Sequence, residues 1–223
     1  MEISALMTLA LGAAWASGLN LYAACATLGL LGVTGQVDLP PDMQVHAHPA
    51  MIAVAGFLYC VEFVTDKLPG IDSTWDAVHS FTRIPAGAIL AATAMGEVGI
   101  EAQALAFLLG GGIAAATHAV KAGSWLVINT SPEPFSNWGA SVTEDGLSIG
   151  GILLAVFNPV GFLILFGLFV AFAIWALPKI VNGLRNLWRR FRGREQLSLA
   201  RDGVARESDG RLSLSPGDDQ PRT

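Results

Sequence analysis

Glu62 and Asp66 stand four residues apart at the end of an apolar run, which places both carboxylates on one face of a helix beside Thr65. Ionisable groups in such a run are costly and normally face a partner or a wet cavity. A second run carries His118, Lys121, Trp125 and Asn129 at steps of three and four, again on one face. Antiparallel packing of the two runs brings Lys121 near Glu62 or Asp66. Glu62, Asp66, His118, Lys121 and Asn129 then line one polar path for an ion or small polar solute. Glu62 and Asp66 would bind a proton or cation, and Lys121 would be their counter-charge or an anion contact. His118 would relay a proton, because imidazole titrates near neutrality. The competing reading is a buried ion pair that only fixes helix register.

Asp72, Asp76, His79 and Arg83 recur at i, i+4, i+7 and i+11, so they form a second polar cluster. Oxygen and imidazole groups in this pattern suit a divalent cation. They also suit a plain helix, with acids at its N-terminus and Arg83 at its C-terminus. Ser73 and Asp76 read as a capping box for that short helix, and Ser141-x-x-Glu144 reads as another, opening the last span. His46-x-His48 is a weak metal signal, and the metal question stays open. Cys25 and Cys60 lie in apolar runs and read as packing thiols. No G-x-S-x-G, H-E-x-x-H or phosphate-binding glycine loop is present, and Gly110-Gly111-Gly112 sits inside an apolar run. The expectation is no catalytic residue, no enzyme and no cofactor.

The elements that must position these residues follow from composition. Hydrophobic residues make up 52% of the 223, and charged residues only 14%, well below the usual quarter of a soluble domain. Positions 1–178 hold three bases against twelve acids, a formal −9, whereas 179–223 hold ten bases against six acids, +4. This excludes a disordered chain, a nucleic-acid binder and an ordinary soluble enzyme. Five segments approach the roughly 20 apolar residues that a span needs: 4–33, 49–66, 84–98, 104–128 and 145–177. The third is short and must be extended or shielded.

Residues 67–83 suggest a short amphipathic or re-entrant helix, and 129–145 a second unusual connection. Ser17-Gly18-Leu19-Asn20 interrupts the first span, and Asn158-Pro159 kinks the fifth. Small residues at intervals of four, Ala10-Ala14-Gly18 and Gly110-Ala114-His118, read as close helix packing rather than a dimer face. Lys179 to Arg194 crowd six bases with Trp188 and Phe191 just after the last span, a basic juxtamembrane helix that places the C-terminus in the cytoplasm. Residues 195–223 are polar and read as a disordered tail. With an acid and no base before its apolar run, the N-terminus reads as a retained span rather than a cleaved signal.

The segments VEFVTDKLPGIDSTWDAVHSF (61–81), RIPAGA (83–88), ATHAVKAG (116–123) and SGLN (17–20) together resemble a family of bacterial integral membrane proteins described as domain of unknown function 4126. The likeness covers about 8–177, and its most specific part runs from Glu62 to Asp76. The resemblance implies a multi-pass helical membrane protein and no established activity. The sequence thus yields an all-α membrane protein of about five transmembrane helices plus a short amphipathic or re-entrant helix. Its domains are 1–178 multi-pass, 179–194 basic helix and 195–223 tail. Its partners are the lipid bilayer of a bacterial inner membrane and, as an open question, a second copy of itself; nucleic acid is not expected. The favoured function is a small transporter or channel. The alternatives are a non-transporting scaffold and, further off, a metal-dependent membrane enzyme.

Overall fold

The computed structural model describes residues 2–66, 71–128 and 134–212. All regular structure among them is helical: α1 (Ile3–Val33), a short 3-10 helix (Pro41–Ala47), α2 (Pro49–Thr65), α3 (Ile71–Ala94), α4 (Ile100–Ile128), α5 (Pro134–Phe157) and α6 (Pro159–Leu212). Four helices are long and apolar enough to cross a membrane, Ile3–Val33, Ile100–Trp125, Ser136–Phe157 and Pro159–Gly183. A fifth counts if the 3-10 helix and α2, bent by 64°, form one span. These are the helices of an integral membrane protein. The chain divides into two units, Met1–Leu177 and Pro178–Thr223.

Three boundaries differ from the sequence expectation. The short helix at 67–83 and the short third span are one helix, α3, which starts at Ile71 and carries Pro85 inside it. Ser73 and Asp76 therefore lie within the helix rather than capping it. Similarly, α5 begins at Pro134, so Ser141 and Glu144 are interior residues and the irregular 129–145 connection shrinks. The fifth expected span is two helices. Asn158 is non-helical and its Oδ1 accepts from Gly161 N at 2.9 Å, an N-cap with Pro159 in the first helical position. Trp15 lies against Gly151 of α5 and has its ring centroid 5.5 Å from that of Phe169 on α6. A continuous helix would separate residues 151 and 169 by about 27 Å. The chain turns back at Asn158. Beyond Pro178, α6 runs on to Leu212.

The largest departure is in α1. Asn20, at φ −145° and ψ 100°, breaks the helix near its middle. Met7 and Ala10 line a cavity of about 150 Å³ with Ala91 of α3 and Met95 just past its end. Tyr22 and Cys25 line another, about 310 Å³, with Ile89 and Leu90 of the same helix. Gly29 abuts His46 of the 3-10 helix, whose Asp42 in turn lies against Gly96, just past α3. Residues 7–10 and 25–29 thus flank one end of α3, although a continuous helix would hold Ala10 and Gly29 about 28 Å apart. The two halves, 3–19 and 21–33, fold back on each other as a hairpin. Its tip is the Ser17-Gly18-Leu19-Asn20 run.

Close backbone approach makes this possible. A methyl on Gly18 would lie 2.6 Å from Thr117 Cβ and 2.7 Å from the Ala114 carbonyl of α4. One on Gly12 would lie 2.5 Å from Ala155 Cβ of α5, and one on Gly87 of α3 the same distance from Ala114 Cβ. The small-residue stripes of α1 and α4 face partners inside the bundle. Leu9, Leu28, Met43, Ala94 and Ile152 fill the core between the hairpin and its neighbours.

Candidate functional site

The hairpin tip frees backbone groups that a straight helix would satisfy, and side chains from three elements meet them. Asn20 Oδ1 accepts from Ala23 N at 2.9 Å, capping the returning half at its third residue. Ser148 of α5 donates to the carbonyls of Ala16 (3.2 Å) and Asn20 (3.1 Å). Lys121 Nζ of α4 donates to the Leu19 carbonyl at 3.1 Å. Charge follows the local dipoles: the ammonium sits at the carbonyl end of the entering half. Asp145, which accepts from Asn20 Nδ2 at 2.9 Å, sits beside the amide end of the returning half.

Around that tip the charges converge. Glu62 of α2 and Arg83 of α3 are fully buried, with Glu62 Oε1 accepting from Arg83 Nη2 at 2.5 Å. Lys121, 2% exposed, holds its ammonium 3.5 Å from Glu62 Oε1, 3.7 Å from Asp66 Oδ2 and 3.1 Å from Glu144 Oε2. Trp125 Nε1 donates to the other oxygen of Glu144 at 2.8 Å, and Tyr59 to Asp145 at 3.3 Å. Arg83 Nη1 lies 3.4 Å from His118 Nδ1. Among the described residues the cluster holds four carboxylates (Glu62, Asp66, Glu144, Asp145) and the basic side chains of Arg83 and Lys121. Glu62 Oε2 is buried with no hydrogen-bond partner among them.

The structure therefore brings together Glu62, Asp66, His118 and Lys121, as their helical spacing implies. Asn129 lies outside the described residues, as do the side chains of Asp72 and Asp76. Of the second polar cluster, only the side chains of His79 and Arg83 are described. Arg83 lies mid-helix in α3 and belongs to the Glu62 network, because α3 continues to Ala94. His79 instead packs edge-on against Tyr22, ring centroids 5.8 Å apart. His46 and His48 make local contacts, Nδ1 of His46 to Met43 O and Nδ1 of His48 accepting from Ala50 N. Cys25 and Cys60 are free thiols. Among the described residues, no group of three or more His, Cys, Asp or Glu is arranged to hold a metal ion.

Sequence reasoning placed an interruption at Ser17-Gly18-Leu19-Asn20 without singling out Asn20, and did not assign Glu144 and Asp145 to the cluster. Its own signals were present: a polar break in one apolar run, and two adjacent acids opening another.

The family described as Domain of unknown function (DUF4126) matches residues 7–179, which contain every residue of the cluster. The chain belongs to the DUF4126 family. No curated protein and no solved structure matches it. The family match ends two residues after Leu177, the last residue of the first structural unit.

Proposed function

We propose that this DUF4126 chain is a small transporter or channel for an ion or small polar solute, with Glu62, Asp66, His118 and Lys121 on its path. One observation carries the reading: the broken tip of the α1 hairpin presents the Leu19 carbonyl to the Lys121 ammonium amid buried carboxylates. Discontinuous helices whose freed dipoles meet charged groups are how transporters build ion and substrate sites. Broken backbone is tolerated at membrane depth where protein buries it or water reaches it. Glu62 and Asp66 bind the proton or cation, and Lys121 is the counter-charge. His118 passes a proton only when its contact with Arg83 opens. The basic residues after Lys179 set the C-terminus in the cytoplasm of a bacterial inner membrane, where such residues are retained.

Reconstitution tests this. Liposomes containing the full chain should pass protons, ammonium, an alkali cation or phosphate faster than empty vesicles, and Glu62→Gln should abolish the difference. Equal flux in all three preparations rejects the reading. A scaffold draws support from the degree to which the buried charges already partner one another. Under it, Lys121→Met combined with Glu62→Gln restores fold and phenotype together, whereas a transporter of that composition folds and is inactive.

A further inference from the structure

Four oxygens from three helices surround one nitrogen, Lys121 Nζ. They are the Leu19 carbonyl of α1, Glu62 Oε1 of α2 together with Asp66 Oδ2 at its end, and Glu144 Oε2 of α5, at 3.1 to 3.7 Å. The nitrogen itself comes from α4. An ammonium has three N–H groups and no acceptor, so this cage holds a cation with more oxygen than one ammonium can use. The second oxygen of Glu62, on the carboxylate that touches the ammonium, is fully buried without a hydrogen-bond partner among the described residues. The hairpin tip supplies the carbonyl, so the cage is complete only while α1 is folded back.

We infer that the Lys121 side chain is a tethered stand-in for the cargo, and that the cargo is a small protonated amine or ammonium ion that takes the same oxygens when Lys121 withdraws. The inference rests on the transport reading and names its substrate class. Lys121 closes the site with the cation it is built to recognise. Cargo displaces it by offering the same N–H donors, and the Leu19 carbonyl couples that exchange to the hairpin.

Lys121→Ala removes three carbons and the nitrogen, the atoms of n-propylammonium. The full-length variant is purified in detergent and its Tm followed with n-propylammonium, ammonium, sodium or tetramethylammonium chloride at constant ionic strength. The expected result is a saturable rise of about 5–10 °C with n-propylammonium at roughly 100 times its Kd. Ammonium should give a smaller rise, and tetramethylammonium, which has no N–H, none. Adding Glu62→Gln should weaken the effect at least about tenfold, the loss of one charge-assisted contact. Lys121→Met, whose thioether stem fills the channel, should not respond. Recovery of folded Lys121→Ala only when n-propylammonium is present from solubilisation onward supports the inference equally. Equal stabilisation by all four salts, or recovery in none, overturns it.

A liposome assay with radiolabelled methylammonium separates this from the broader reading. Amine binding without flux overturns transport and leaves the cation cage. Flux of another ion with no amine response overturns the cage and leaves transport.

Discussion

Glu62 is gripped through one oxygen by Arg83 and approached by Lys121, and the pairing is buried from end to end. Removing one partner of such a pair leaves the other charge stranded, which costs about 3–5 kcal/mol. Glu62→Gln should therefore destabilise the protein by up to that order and lower Tm. Glu62→Gln with Arg83→Met should recover a good part of the loss, because both charges then go. A double-mutant cycle on purified protein measures the coupling, and additive losses would show that the two residues act independently. Asn20→Ala removes both a cap and the bond to Asp145. The expected loss is about 2 kcal/mol, the typical cost of a cap plus a buried hydrogen bond. Spacing alone put Glu62 with Asp66, and His118 with Lys121, on shared faces; that Lys121 meets Glu62 or Asp66 needed the further assumption that the two helices pack antiparallel. The Asn20–Asp145 bond was not legible from spacing, because it joins residues 125 positions apart.

At the scale of the element, the hairpin in α1 makes two measurable claims. Both of its ends lie at the end of the bundle that carries the 3-10 helix. Single cysteines replacing Ser4 and Thr34, in a Cys25→Ser, Cys60→Ser background, should react with an impermeant maleimide from the same side of oriented vesicles. Labelling from opposite sides would mean that α1 crosses once. The second claim concerns the glycine run in α4. A methyl at Gly110 would lie 2.4 Å from Ala91 Cβ and 2.9 Å from the Gly87 carbonyl, whereas one at Gly112 meets nothing within 4 Å. Gly110→Ala should cost about 1–3 kcal/mol by overpacking, and Gly112→Ala should be neutral or slightly stabilising because it removes backbone entropy from the unfolded chain. Thermal melts of the two variants decide it. Composition marks all three glycines alike; only the neighbouring helix distinguishes them.

At the scale of the whole molecule, the unit Met1–Leu177 contains the hairpin, the cluster and every glycine contact that closes the bundle. A chain ending at Arg194 should keep the Tm and the flux of the full chain. A fall in either would give the tail a part in folding or transport.

Hydrophobic content and the rarity of charge announced a helical membrane protein, because burial in lipid leaves few other ways to satisfy a backbone. The 3.6-residue period likewise announced which polar groups share faces on α2 and α4. Neither could say that an apolar run of 31 residues, long enough to cross, doubles back at Asn20. Nor could they assign Arg83 to Glu62 or bring Asp145 to the tip. A period constrains only neighbours along one helix. Which faces meet depends on where backbones approach closely enough, and that is decided by glycines and alanines on other helices, together with the need to satisfy the carbonyls that a broken helix leaves open.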